Sequence, residues 1–471
     1  MDFDEYSFAD LLSNIVDNRG KTCPVEDKGF PLIATNCIKD DSLYPVFEKV
    51  RFVSDDTYKN WFRGHPNAGD IIFVCKGSPG RVAWVKEPVS FCIAQDMVAI
   101  RADQRLVDPM FLFSLLRSEQ VINKINNMHV GTLIPHFKKG DFKNLYLSIP
   151  RNLKIQRAIG LFYFSLSEKI EKNKEINQTL EQMAQALFKS WFVNFEPVKA
   201  KMAVLEAGGS QEDATLAAMT AISGKNADAL AVFEREHPEQ YAELKATAEL
   251  FPSAMQESEL GEIPEGWELS SLSEKIKLIG GGTPKRSEPE FWNGDICWYS
   301  VKDAPADSDV FVIDTTEKIT KKGLDKSSAK LLPIGTTIIS ARGTVGKLAL
   351  TATEMAMNQS CYGISGGEFS GPLLTYLKVK QCVDVLKRNT HGAVFDTITT
   401  STFDTVVTLT ASKIVNHRFE KIVTPLFNDI ENNLRTNASL TQLRDTLLPK
   451  LLSGEITLPE AELAVSEAEN V

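Results

Sequence analysis

No run of apolar residues in this chain approaches the ~20 needed to span a bilayer, and its opening Met1-Asp2-Phe3-Asp4-Glu5 lacks the basic flank and apolar core of a secretory signal. The two absences together predict a cytoplasmic protein. The seven cysteines, Cys23, Cys37, Cys75, Cys92, Cys297, Cys361 and Cys382, are odd in number and never spaced as Cys-x-x-Cys. That scatter argues for reduced, mostly buried thiols rather than a disulfide framework or a metal centre. The six histidines (His65, His129, His136, His237, His391 and His417) show no His-Glu-x-x-His or other paired ligand spacing.

Catalytic signatures are lacking as well. Gly343-Thr344-Val345-Gly346-Lys347 has the wrong glycine spacing for a phosphate-binding Walker loop, and no Ser or Thr follows the lysine. Gly280-Gly281-Gly282-Thr283-Pro284 lacks the Gly-x-Gly-x-x-Gly pattern and following helix of a dinucleotide site, and reads as a flexible turn. There is no Gly-x-Ser-x-Gly nucleophile elbow, and no Asn/Asp-Pro-Pro-aromatic signature of an adenine methyltransferase. A non-catalytic chain that holds no metal or cofactor of its own is expected, with any base modification left to a partner.

Positive charge is also in short supply: 52 Lys and Arg stand against 62 Asp and Glu, a net charge of −10. A general DNA coat neutralises phosphates with an overall basic surface, so that class is disfavoured. A local reader is not, because local basic patches can make the contacts while an acidic remainder faces protein partners. What the chain does have is folding material. At 471 residues it should form roughly two to four structural units, and 43% hydrophobic with 24% charged residues is the balance of a folded, non-membrane protein.

The most informative feature is an internal repeat. Gly69, Gly77, Gly80 and Arg81 recur at one constant shift as Gly335, Gly343, Gly346 and Lys347. With small drifts Gln95 then matches Gln359, and Gly131 and Phe142 match Gly392 and Phe403. Ile170, Glu171, Asn173, Asn177, Leu180 and Leu187 match Ile430, Glu431, Asn433, Asn437, Leu440 and Leu447. A unit of this length is far beyond a solenoid repeat, so each copy must be a domain plus a helix.

Within each copy the β-rich runs Asp70 to Cys75 and Thr337 to Ser340 end in glycine turns. After Pro150 the glycines thin out and helical spacing takes over, through Ile155, Ile159, Phe162, Leu166 and Ile170 to Leu180, Met183, Leu187 and Trp191. Ile422, Leu426, Ile430, Leu440, Leu443, Leu447 and Leu451 repeat it. These stripes predict two long amphipathic helices. Each stripe alone would suit a helix packed on its own domain. The matched Asn173/Asn177 and Asn433/Asn437, which interrupt both apolar seams at equivalent levels, favour an antiparallel pair whose register the asparagines set. Ile170, Asn173, Asn177, Leu180 and Leu187 would then meet Ile430, Asn433, Asn437, Leu440 and Leu447. Pro425 and Pro449 are expected to kink or shorten the second helix.

The expected architecture is α+β, a pseudo-twofold tandem repeat of two β-rich domains separated by two long antiparallel paired helices. Its segments are a first domain at 1–150, a central helix at 151–196, a helical insert without counterpart at 197–258, a second domain at 259–412, a distal helix at 413–455 and a loose acidic tail at 456–471. The remaining chemistry is a basic set in matching parts of the two domains: Arg19, Lys21, Lys39, Lys76 and Arg81 in the first, Lys285, Arg286, Lys302, Arg342 and Lys347 in the second. Exposed cations are ordinarily just solvated. In the paired loops 76–81 and 342–347, however, glycines allow close backbone approach while the flanking cations can meet phosphates or guanine edges. Both readings stay open.

Four stretches carry a family resemblance: Leu187-Phe188-Lys189-Ser190-Trp191-Phe192-Val193-Asn194-Phe195-Glu196-Pro197-Val198, Leu260-Gly261-Glu262-Ile263-Pro264-Glu265-Gly266-Trp267, Ser340 to Lys347, and Leu448-Pro449-Lys450-Leu451-Leu452-Ser453-Gly454-Glu455-Ile456. In this combination and order the sequence resembles the specificity subunits of type I restriction-modification systems. The resemblance implies two target recognition domains, each reading one half of a split asymmetric DNA sequence, held apart by the paired helices, which would also dock two modification subunits. It assigns S-adenosylmethionine and adenine methylation to those modification subunits, and ATP- and Mg-dependent translocation and cleavage to restriction subunits. One departure is that the first copy lacks an Ile-Pro-x-Gly-Trp entrance like the one at Ile263 to Trp267. A helix of roughly 35 residues is ~50 Å long, enough to set two domains one DNA turn of ~34 Å apart. The alternative from another class is a scaffold whose paired domains bind partner proteins rather than DNA.

Overall fold

A computed structural model describes residues 2–18, 22–128, 135–259, 261–390 and 397–469. Arg19, Lys21, Gly131 and Gly392 fall outside the described residues.

The first β-rich domain contains β1 (Phe3–Ser7), β2 (Leu12–Asp17), β3 (Phe30–Ile33), β4 (Arg51–Val53), α1 (Asp55–Asn60), β5 (Ile71–Val74), β6 (Val82–Trp84), β7 (Cys92–Ile93), β8 (Met97–Ala102), α2 (Pro109–Leu116), α3 (Glu119–Asn127) and β9 (Tyr146–Pro150). A main antiparallel sheet has the order β2-β8-β5-β6, a small sheet the order β4-β3-β7, and β1 pairs with β9 to close the domain. Within the small sheet β3 runs antiparallel to β4 and parallel to β7. Strand β5, Ile71-Ile72-Phe73-Val74, is wholly buried because both its faces are covered. Successive side chains of a strand point to opposite faces, and Ile71 and Phe73 join one core while Ile72 and Val74 join another.

Helix α4 (Leu153–Phe192) follows. The insert consists of α5 (Glu196–Glu206), α6 (Gln211–Ser223), α7 (Ala227–Glu236) and α8 (Pro238–Glu249). Gly208-Gly209 separates α5 from α6, and Gly224, at φ 68°, ends α6. A hairpin of β10 (Met255–Ser258) and β11 (Gly261–Pro264) leads to the second β-rich domain. There β12 (Glu268–Ser271), β13 (Lys277–Gly280), β14 (Trp292–Tyr299), β15 (Phe311–Val312), β16 (Lys318–Ile319), α9 (Lys321–Asp325), β17 (Thr337–Ser340), β18 (Leu348–Thr351), β19 (Met355–Met357), β20 (Cys361–Ser365), α10 (Pro372–Arg388), α11 (Thr400–Asp404) and β21 (Val407–Thr410) follow in order. Helices α12 (Lys413–Ser453) and α13 (Leu458–Glu469) end the chain.

The second domain repeats the first sheet by sheet. The order β13-β20-β17-β18 matches β2-β8-β5-β6, with β15 added in parallel beside β18. The order β16-β14-β19 matches β4-β3-β7, parallel pair included, and β12 pairs with β21 as β1 does with β9. The matching closure fixes where the first copy begins, although that copy has no Ile-Pro-x-Gly-Trp entrance.

The chain divides into two compact units, Met1–Asn173 with Thr436–Val471, and Lys174–Arg435, so the division falls inside both long helices. In the first unit Ile159, Phe162, Leu166 and Ile170 of α4 share a core with Leu440, Leu447, Leu448 and Leu451 of α12. In the second, Ala184, Phe188 and Trp191 share one with Phe419, Val423, Phe427 and Ile430, with Leu180 and Leu187 partly buried against it. The helix segments run antiparallel in each unit, and the asparagines mark equivalent levels. Asn173 Nδ2 donates to Asn437 Oδ1 at 2.8 Å in the first unit, and Asn433 Nδ2 donates to Asn177 Oδ1 at 2.9 Å in the second. Asn177 and Asn437 are the buried members of their pairs, and a buried amide is kept by finding such a partner.

Three expectations are corrected. The second helix is not shortened, since α12 runs from Lys413 to Ser453 through Pro425 and Pro449. Each proline removes one backbone donor, but Val423, Phe427 and Ile430 around the first, and Leu447, Leu448 and Leu451 around the second, are buried in cores that hold the helix together. The terminal segment is not loose: α13 buries Ala461 and packs Leu458, Ala464 and Val465 on the first unit's core. The glycine-rich stretch 280–284 is no flexible turn. A Cβ on Gly281 would lie 1.9 Å from the Asn358 carbonyl oxygen, and one on Gly282 2.3 Å from the Ala329 nitrogen.

Candidate nucleic-acid interface

The two glycine loops have the same construction. Gly77 and Gly343 have positive φ (87° and 75°) and open space around them, so they are needed for the turn alone. Gly80 and Gly346, also at positive φ, lie close against a helix as well. A Cβ on Gly80 would meet Ile125 and Ile122 of α3 at 3.0 and 3.2 Å, and one on Gly346 would meet Lys387 and Val383 of α10 at 2.3 and 3.0 Å. Each loop is thus pressed onto a helix of its own domain on one side and presents its other glycine outward.

In each loop one of the two cations is paired, and so are Lys39 and Lys285 elsewhere in the domains. Arg81 Nε lies 3.0 Å from Asp40, and in the second domain Lys347 Nζ lies 3.8 Å from Asp307. Lys39 faces Glu48 at 3.5 Å and Lys285 faces Glu288 at 3.3 Å. Lys76, Lys302 and Arg342 are exposed. Pairing at the surface weakens the case for long-range attraction of phosphates, because beyond the few ångströms that separate a pair its carboxylate offsets the cation's field, and salt screens the remainder beyond a Debye length of ~10 Å at 0.1 M. In the first unit the loop forms one wall of a cavity of about 560 Å³ whose lining also includes Arg117, Tyr163 and Arg444. Arg117 donates to the Ser42 carbonyl, and Arg444 stacks over Tyr163 beside Asp445. Sequence reasoning did not reach Arg117 or Arg444, whose contacts join segments far apart along the chain.

Arg286 stands in a different setting. Its guanidinium lies 3.9 Å from the ring centre of Trp292 and 5.0 Å from that of Trp298, and its Nη1 and Nη2 both donate to the Glu317 carboxylate. The bond to Arg286 holds the Glu317 carboxyl below its usual range. A bulge in β14, where Trp292 and Ile296 both face Ile319, helps bring the two indoles edge to face with centres 5.1 Å apart. The indoles also fix the neighbouring backbone: Trp298 Nε1 donates to the Gly282 carbonyl at 3.0 Å and Trp292 Nε1 to that of Lys285 at 3.3 Å. Thr283 and Gln359 are hydrogen-bonded to each other across the same loop. Trp292, Trp298 and Glu317 were also missed from sequence. Two tryptophans just after a Lys-Arg pair were the available signal.

The Leu187 to Val198 motif builds a core. Trp191 and Phe192 are buried with Phe251, Phe419 and Trp267 in an aromatic cluster at the end of α4, and Glu196 accepts from Ser190 and Asn194 to close that end. Among the described residues no group of three or more His, Cys, Asp and Glu is placed to hold a metal ion, and no helix is long and apolar enough to cross a membrane.

Comparison with known proteins agrees with this architecture. The family model of the type I restriction modification DNA specificity domain matches residues 23–182 and again 264–440, once in each copy. The chain is 35% identical over 401 residues to the type I restriction enzyme HindI specificity subunit of Haemophilus influenzae, covering 82% of this chain and 86% of that one. It is 28% identical over 148 residues to the MjaIX specificity subunit of Methanocaldococcus jannaschii, covering 31% of this chain and 34% of that one. The crystal structure of the type I restriction-modification S subunit from M. genitalium shares the fold, with a TM-score of 0.53 at 15% identity over 96% of both chains. A domain pair matched twice by one family model, and a relative aligned over most of both chains, place this protein in the type I restriction-modification DNA specificity family.

Proposed function

We propose that this chain is the DNA-recognition subunit of a type I restriction-modification complex and reads a bipartite, asymmetric target, one half with each β-rich domain. The observation that carries the reading is the sheet-by-sheet equivalence of the two domains, each followed by a long helix with an asparagine at the matching level. Two domains of one topology but different surface side chains suit two half-sites of different sequence. In this reading the two domains contribute Lys39, Lys76, Arg81, Lys285, Arg286, Lys302, Arg342 and Lys347, together with Arg19 and Lys21, to the DNA side.

The chain supplies no catalysis. S-adenosylmethionine would sit on two modification subunits, ATP and Mg on restriction subunits, and the assembly would work in the cytoplasm. Exposed apolar residues on the long helices, Leu161 and Met183 on α4 and Ile414 on α12, give partner subunits something to bury. Methylome sequencing of the host with and without the gene tests the proposal. Loss of adenine methylation at one bipartite motif is expected, and an unchanged methylome would refute it.

A further inference from the structure

Arg286 combines exposure with fixation. Its side chain is 55% exposed, yet every element beneath it is pinned. Gly281 and Gly282 leave no room between the backbone and its neighbours, Gly282 N–H donates to the Met357 carbonyl, and both indoles hold loop carbonyls. Trp292 supports the guanidinium plane and Glu317 fixes its rotation. A free arginine on a surface samples many rotamers and loses that freedom on binding. This one has already lost it, which is the arrangement expected of a preorganised contact.

The hydrogen bonds decide what kind of contact it can make. Glu317 occupies one donor on Nη1 and one on Nη2, out of the five that a guanidinium carries. Among the described residues the others have no partner, and two of them, on Nε and Nη2, lie side by side along one edge. The charge is neutralised locally by Glu317, so little is left for attraction to a phosphate. What remains is a fixed, directional pair of donors, the pattern that matches the adjacent O6 and N7 acceptors of guanine in the major groove. Resting on the DNA-reading function proposed above, we infer that Arg286 reads a guanine of the half-site assigned to the second domain, with Trp292 and Glu317 as its positioning residues.

The test uses the complete complex carrying Arg286→Lys or Arg286→Ala, with methylomes read by single-molecule sequencing and DNA affinity measured over a salt series. Lysine keeps the charge but not the paired donors. Both variants should relax one position of one half of the motif from guanine to two or more bases, with a loss of discrimination of about 10- to 100-fold, while the other half and the salt dependence stay unchanged. Glu317→Gln, which loosens the clamp and keeps the arginine, should relax the same position partly. An unaltered motif in all three variants overturns the inference. So does a uniform loss of methylation with the motif intact, the mark of a structural role, or a fall in affinity for every sequence with a salt slope smaller by about one, the mark of a phosphate contact. Failure of the functional reading itself shows up separately, as a methylome that does not change when the whole gene is removed.

Discussion

Glu420 and Gly160 occupy equivalent positions on the two long helices, and each is the residue its own domain requires. Helix α10 begins at Gly371-Pro372 without a side-chain cap, and the Glu420 carboxylate takes its place by accepting from the N–H groups of Leu373 and Leu374, both at 2.9 Å. Helix α2 is capped by its own Asp108, and there the α4 position is Gly160, where a Cβ would lie 2.6 Å from the Phe111 nitrogen. Glu420→Ala should therefore cost about 1–3 kcal/mol, the usual penalty for orphaning buried donors, read as a shift in the denaturant midpoint. Burial raises the Glu420 pKa. A raised folded-state value means that the folded protein holds the proton more tightly, so this group's contribution is fully present below the ordinary carboxylate range and is lost as pH rises through the folded value. Glu420→Gln should accordingly gain stability relative to the parent as pH increases from 4 to 7, and a constant difference would contradict the assignment. The asparagines permit a cleaner experiment. Asn437→Leu alone removes the partner of the half-exposed Asn173 amide and should destabilise by about 1 kcal/mol, whereas the double replacement of Asn173 and Asn437 by Leu should cost less than the sum of the two single changes.

At the scale of the element, the glycine loops separate turn chemistry from packing. Gly343→Ala meets only the left-handed backbone penalty, about 1 kcal/mol, while Gly346→Ala adds a tight approach to Val383 of α10 once the end of the flexible Lys387 side chain moves aside, and should lower the thermal midpoint somewhat further. Equal effects would mean that the loop can lift off its helix. The same loop should respond unequally to loss of charge. Arg342 is exposed and has no ion pair among those of the described residues, whereas Lys347 is shared with Asp307. Replacing both by alanine is expected to weaken DNA binding with assembly intact, and Arg342→Ala should account for most of the loss; unchanged affinity at several salt concentrations would remove the loop from the interface. The helices show the opposite balance between local and tertiary forces. A proline inside a helix costs ~3 kcal/mol by propensity, yet α12 continues through two of them because apolar neighbours on its inner face are buried.

On the scale of the whole molecule the duplication organises everything else, and the Leu180→Asp variant probes it. A carboxylate in the half-buried seam of the second unit should disrupt partner docking or the helix pairing; complexes of normal size and stability would count against the paired-helix arrangement. The duplication, the two long helices, the matched asparagines and the lack of catalytic motifs were all legible in the sequence, because periodicity, glycine spacing and motif absence are local or strictly ordered along the chain. The same holds for the family, which rests on contiguous stretches such as Trp191 to Val198. Other features depend on which distant segments meet. That Arg81 and Lys347 each lie beside an aspartate, that Gly280 to Pro284 is rigid, that the terminal segment folds onto a core, and that Glu317 pairs with Arg286 are outcomes of packing between residues far apart in sequence, whereas the two tryptophans at Arg286 come from the strand that follows it. Composition shows which cations are present. For Arg81, Arg286 and Lys347 only the tertiary structure decides that they are neutralised, because a charge acts through its nearest partner and the chain brings Asp40, Glu317 and Asp307 in from elsewhere.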